Sequence, residues 1–352
     1  MNTAEQLVKA LEKEGVTHVF GLPGEENLEF LAALSRSPMH FVLTRHEQEA
    51  GFMAATWGRL SGRAGVCFST LGPGATNLMT AAAYAQLGGM PMVMITGQKP
   101  ILHSKQAAFQ ILDTVDMMKP VTKSSQRLHD GSWLTSMVHN AFRQAEGSRA
   151  GAIHLELPED VAAATMEQQS YPGPQRMAPA QATHDQIEQA LARIYAAQCP
   201  ILMIGAGAQR EPITQALATL IAQTQLPFFS SQMGKGALDE RHPLCLGTAA
   251  LSERELAHEA LQHADLVITL GHDLVEKPPF HMHAEGPEVL HIHTEKRIGT
   301  ANMKAGSIPV LDVLFGNIFV VTKIFRRCGF FRHQRRQRGQ RKYFQEFPAI
   351  KF

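Results

Sequence analysis

Residues 66–86 read VCFSTLGPGATNLMTAAAYAQ, from Val66 to Gln86. The apolar run at 66–69 has the length of a buried strand. Leu71-Gly72-Pro73-Gly74 breaks it, because glycine and proline punctuate regular structure. The Ala-rich stretch at 76–86 then favours helix, since alanine loses no side-chain entropy there. Strand, glycine loop and helix in that order are one step of an α/β fold, and the step repeats on both sides. Upstream, Thr3 and Gln6 are expected to form a capping box for a helix at 4–14, with Gly15 closing it. An apolar run at 16–20 ends in the loop Gly21-Leu22-Pro23-Gly24, followed by a helix at 26–34 and a strand at 40–43. Arg45-His46-Glu47-Gln48-Glu49 then opens a helix in which Ala50, Met53, Ala54, Trp57 and Leu60 recur at helical spacing and are expected to be buried. Further strands are expected at 92–96 and 152–157. Short apolar strands alternating with helices predict an open parallel sheet covered on both faces.

A stretch rich in Pro, Gly, Ala and Gln at 171–184 reads as a linker. Beyond it, helices at 185–197, 213–223 and 252–263 alternate with strands at 201–204, 227–230, 266–270 and 290–293. The predicted class is α/β: two doubly wound parallel-sheet domains, at 1–170 and 185–298, and an atypical basic tail at 299–352. Between Asp312 and Glu346 no acidic residue occurs, while Arg326, Arg327, Arg332, Arg335, Arg336, Arg338, Arg341 and Lys342 crowd together. That tail is expected to be disordered and reads like an out-of-frame or rearranged segment. It leaves open a lipid- or RNA-binding reading, but 308–325 is broken by Asp312, Asn317 and Lys323 and is too interrupted for a membrane span. The formal net charge of +1 over 352 residues carries no nucleic-acid signature. Cys67, Cys199, Cys245 and Cys328 are far apart and read as buried thiols of a reducing compartment. The chain opens on a helix, so no leader is expected and the cytoplasm is the expected location.

In open α/β sheets ligands bind at the carboxyl ends of the strands. Gly21-Leu22-Pro23-Gly24, the Glu47 turn and Gly72-Pro73-Gly74-Ala75-Thr76-Asn77 all fall there. Each has a plainer reading, as a tight turn or as an acid favoured by the first turn of a helix. Gly205-Ala206-Gly207 resembles the start of a dinucleotide fingerprint, but Arg210 stands at the third glycine, which favours a plain strand–helix turn. His281, His283, His291 and His293 suit either a metal pair or a solvated strand edge, and the lack of acidic or cysteine neighbours favours the edge. No GxSxG, Walker A or HExxH pattern is present, which removes the common hydrolase and NTPase readings.

Taken together with Thr96-Gly97-Gln98, Ala108-Phe109-Gln110, Lys119-Pro120-Val121-Thr122-Lys123 and His154-Leu155-Glu156-Leu157-Pro158, these motifs resemble the thiamine-diphosphate-dependent acetolactate synthase family from residue 1 to about 295. The resemblance implies catalytic roles for Glu47, in proton exchange with the cofactor's aminopyrimidine, and for Gln110, at the reacting centre. It implies cofactor contacts for Gly21, Gly24, Pro73, Gly74, Asn77 and Phe109. Ile111 replaces a Glu common in the family. Arg149 matches a position that can contact FAD, whereas Gly271-His272-Asp273 departs from the Gly-Ala-Arg of FAD-binding relatives, so FAD is left open. Mg²⁺ is expected for the family, but the Gly-Asp-Gly motif and downstream Asn that hold it with the diphosphate have no match here, and no metal ligand is assigned. The implied partners are small 2-keto acids and further copies of the chain in a dimer or larger oligomer. The chain would then supply only the pyrimidine half of the cofactor site and be impaired in turnover, or be a non-catalytic fragment.

Overall fold

The computed structural model describes residues 1–101, 107–147, 149–175, 182–209, 211–250, 255–273, 275–277, 279, 282 and 285–293. The tail at 299–352, Arg210, His281 and His283 lie outside the described residues. The chain divides into two compact units, Met1–Pro179 and Ala180–Phe352.

In the first unit the order is α1 (Thr3–Lys13), β1 (His18–Gly21), α2 (Leu28–Leu34), β2 (His40–Leu43), α3 (Glu47–Ser61), β3 (Gly65–Ser69), α4 (Gly72–Leu87), β4 (Met92–Gln98), α5 (Thr114–Met118), β5 (Ser124–Arg127), α6 (Leu134–Ala145), β6 (Ala152–Pro158) and α7 (Glu159–Ala163). The six strands form one parallel sheet in the order β2-β1-β3-β4-β6-β5. Alternate side chains feed two cores. Val66 and Phe68 join Val19, Val93 and Ile153 under α1, α2 and α6, while Cys67 joins Met92, Met94 and Leu78 under α3 and α4.

The local chemistry shifts several expected boundaries. Asn2, not Thr3, caps α1: Glu5 N–H donates to Asn2 Oδ1 at 2.8 Å and Asn2 N–H donates to Glu5 Oε2 at 3.1 Å. Thr3 and Gln6 are buried instead. On α3 the buried seam is Ala50, Gly51, Ala54, Ala55 and Gly58. Small residues are needed there: a Cβ on Gly58 would lie 2.0 Å from Pro91 O. Met53, Trp57 and Leu60 therefore lie outside the seam, Leu60 at 82% exposure, with the Trp57 ring 4.5 Å from that of His18.

The second unit runs α8 (His184–Ala196), β7 (Pro200–Ile204), α9 (Glu211–Thr224), β8 (Phe228–Ser231), β9 (Cys245–Ala249), α10 (Leu256–His263), β10 (Leu266–Leu270) and β11 (Glu288–Ile292). Its five parallel strands are ordered β11-β10-β7-β8-β9. The polar strand β5 and the glycine-containing β9 were not expected from hydropathy. His291 lies on the edge strand β11 but is buried, its Nδ1 2.7 Å from Thr269 Oγ1, so a solvated edge does not describe it. Cys67, Cys199 and Cys245 are free; Cys67 is buried, whereas Cys199 and Cys245 are only part-buried. Among the described residues no helix is long and apolar enough to cross a membrane.

Candidate active site

The site in the first unit is built where β1, β2 and β3 end. Parallel pairing of β1 with both β2 and β3 brings the turns after all three strands to one edge of the sheet. Glu47 is the first residue of α3, 7% exposed, behind the N-cap His46, whose Nδ1 accepts from Gln48 N–H at 3.1 Å. A carboxylate at this end of a helix faces the positive end of the backbone dipole. Asn77, in the second turn of α4, donates from Nδ2 to Glu47 Oε2 at 2.9 Å. Among the described residues no hydrogen-bond donor engages Oε1, which faces Gly74: a Cβ there would stand 3.2 Å from it. One oxygen is thus fixed, and the other is left open on the Gly74 side.

Thr70 forms the wall between the glycine turns. A Cβ on Gly24 would lie 2.6 Å from Thr70 Cβ, and one on Gly74 would lie 2.9 Å from Thr70 Cγ2. Pro73 begins the first turn of α4, where its missing N–H costs nothing. Gly21 ends β1 against the Phe68 ring. Gly72 has φ +40°, and its α-carbon is covered by the Gln110 carbonyl, 2.2 Å from where a Cβ would be. Gln110, itself at φ +56°, and Phe109 are therefore carried to the same glycine turn, both exposed. Arg149 goes elsewhere. Its guanidinium donates to Gln86 O at 3.0 Å and Leu87 O at 3.4 Å, at the carboxyl end of α4 and the opposite edge of the sheet.

Two buried charged groups beside this site had no assigned role in the sequence. Lys99 Nζ lies 2.6 Å from Glu26 Oε1 and 3.5 Å from Glu25 Oε2, and Thr70 donates to Glu26 Oε2. The signal was a lysine just after β4, opposite a pair of acids after the Gly24 turn. Burial pushes the Glu26 carboxyl up, but hydrogen bonds from Lys99 and Thr70 outweigh it and hold the group below its usual 4.5. Because the folded value is depressed, this contribution is complete above 4.5 and is lost as pH falls through the folded value. Lys99→Met should therefore cost about 1–3 kcal/mol at pH 7. The gap from wild type, measured by urea unfolding, should close as pH falls below 4.5.

The second group is Glu156 on β6, fully buried. It accepts from Gln98 Nε2 at 3.1 Å, from the Thr114 hydroxyl and from Arg127 Nε. Gln98 Nε2 also donates to Leu112 O at 3.2 Å, anchoring the segment that follows Phe109 and Gln110. Next to it, His154 is fully buried and its pKa is driven down to about 3 by that burial. Ser125 Oγ donates to Val115 O at 2.7 Å, so it accepts from His154 Nδ1–H at 2.8 Å, and Thr96 Oγ1 donates to Nε2 at 2.8 Å. The imidazole is neutral and fixed in one tautomer.

The first unit thus presents a glycine-flanked, part-pinned carboxylate at the carboxyl ends of its parallel strands. Residues 1–117 match the thiamine pyrophosphate enzyme N-terminal TPP binding domain, and residues 187–311 match the central domain of the same enzymes. The chain belongs to the thiamine pyrophosphate enzyme family and carries its N-terminal and central domains. Among its relatives are acetolactate synthases. It is 35% identical over 277 residues to a probable acetolactate synthase large subunit of Methanococcus aeolicus, covering 77% of this chain and 46% of the relative. It is 37% identical over 270 residues to the acetolactate synthase isozyme 1 large subunit of Escherichia coli K12, covering 76% and 48%. It is 32% identical over 296 residues to an acetolactate synthase of Bacillus subtilis, covering 84% and 52%. The chain spans about half the length of these curated relatives.

Proposed function

We propose that the first unit is the pyrimidine-holding half of an acetolactate-synthase-type site, working on 2-keto acids such as pyruvate in a dimer or larger assembly. The observation that carries this reading is the Glu47 carboxylate, buried, pinned through Oε2 by Asn77 and open at Oε1. Bound thiamine diphosphate would supply a nucleophilic carbon and an electron sink for decarboxylation. This chain's part is to hold the ring between the Gly24 and Gly74 turns and to exchange a proton at Glu47 Oε1. Gln110, seated on Gly72, and its neighbour Phe109 would face the incoming keto acid.

Among the described residues no group of three or more His, Cys, Asp or Glu side chains could hold a metal ion. On this reading, turnover depends on further groups, beyond the Glu47 pocket, that hold Mg²⁺ and the diphosphate.

Calorimetric titration with thiamine diphosphate and Mg²⁺, followed by an assay of acetolactate from pyruvate, tests this reading. The expected result is saturable binding, with turnover once an acetolactate-synthase-type diphosphate-binding domain is added. Absence of binding and turnover even with that domain present would instead favour a non-catalytic fragment.

A further inference from the structure

In a doubly wound sheet, phosphate groups of dinucleotides sit where the strand order reverses, on the N–H groups of the glycine loop after the first strand. In the second unit the order runs from β7 to β8 and β9 on one side and returns to β10 and β11 on the other, so the reversal lies between β7 and β10. The loop Gly205-Ala206-Gly207 follows β7 at that point. Its donors are already spent. Gly205 N–H bonds Leu270 O at 2.8 Å, Gly207 N–H bonds Gly271 O at 2.9 Å, and Ala208 N–H bonds Gly205 O at 3.1 Å. The remaining donor, Ala206 N–H, bonds Glu276 Oε1 at 3.0 Å.

Glu276 is 5% exposed. The same Oε1 accepts from Asp273 N–H at 2.7 Å, and Oε2 accepts from the Ser231 hydroxyl at the end of β8. One carboxylate thus ties together the loops after β7, β8 and β10. The loops also touch directly: a Cβ on Gly205 would fall 2.3 Å from His272 Cα, and Gly271, at φ +66°, covers Ala208 N.

We propose that Glu276 is a built-in occupant of the anion position, which closes the second unit to FAD and to other phosphate-bearing dinucleotides. Among residues 205–208 a phosphate would find no free N–H, and it would collide with the side chain that already accepts from Ala206 N–H and Asp273 N–H. Burial raises the Glu276 carboxyl above its usual range, against the lowering effect of Ser231 and the two backbone amides. The inference does not depend on the function assigned to the first unit.

The test is titration of the full chain with FAD, followed by flavin fluorescence, and with ADP as the shared diphosphate probe, followed by calorimetry. Wild type and Glu276→Gln, which keeps the same acceptor oxygen, should bind neither. Glu276→Ala, checked for folding by circular dichroism, should bind both at least tenfold more tightly than wild type. Saturable FAD binding by wild type overturns the proposal. A folded Glu276→Ala that still binds neither removes Glu276 as the cause and also overturns it. If Glu276→Ala does not fold, the Gln variant decides: no binding supports closure by the side chain's bulk and acceptor, and FAD binding overturns it.

Discussion

Glu47→Gln is expected to lower thiamine-diphosphate-dependent turnover of the assembled enzyme by about 10²–10⁴-fold, the usual contribution of a positioned acid–base group. The amide keeps an oxygen for Asn77 Nδ2 to bond, so the contact at 2.9 Å and the fold should survive. On the proposed role, what is lost is the oxygen at the Gly74 side that takes up and returns a proton. The loss should fall on kcat more than on KM, because ring binding in the glycine cradle is unchanged. Turnover within a few-fold of wild type, in a variant with unaltered thermal unfolding, would remove Glu47 from the chemistry.

Arg127→Met is expected to destabilise the first unit by about 3 kcal/mol, at the low end of the range for breaking a buried ion pair, since Glu156 is fully buried but the Arg127 side chain is 28% exposed. The low end applies also because Thr114 and Gln98 still donate to Glu156 after the guanidinium is gone. Adding Glu156→Gln should recover part of the loss, since the uncompensated charge is then removed. The same lesion should reach the site. Gln98 and Thr114 share Glu156, and Gln98 holds Leu112 O, so amide hydrogen exchange should rise at 110–114. Chemical denaturation of the single and double variants measures the first effect. An Arg127→Met protein as stable as wild type would mean that water takes over the guanidinium's place.

Much of the fold was legible because its signals are local. An apolar run ending in Gly72-Pro73-Gly74 and an Ala-rich helix reports a strand–turn–helix step wherever it occurs, and both parallel sheets follow from its repetition. Strand β5 was not legible because Ser-Ser-Gln-Arg has no apolar run; Ser125 and Arg127 spend their side chains on His154 and Glu156. Periodicity also misplaced the buried face of α3. It counts Met53, Trp57 and Leu60 as core, whereas close approach to α4 and Pro91 demands alanine and glycine at the seam.

The candidate site divides in the same way. The glycine turns and Glu47 are readable because each lies next to a strand end. The bond between Glu47 and Asn77 and the seat of Gln110 on Gly72 depend on which strands are neighbours, which no local window contains. Lys99 with Glu26 and Glu276 with Ala206 are of this second kind, since their partners lie on different strand-end loops.

In the proposed role Glu47 exchanges a proton with a pyrimidine ring held in the first unit. The most direct measurement is the rate at which the thiazolium C2 proton of thiamine diphosphate exchanges with deuterated water, followed by NMR with saturating protein, the added acetolactate-synthase-type diphosphate-binding domain and Mg²⁺. Wild type should accelerate exchange over the free cofactor, and Glu47→Gln should lose most of that acceleration. Equal acceleration by the two proteins, or none by wild type, would contradict the account.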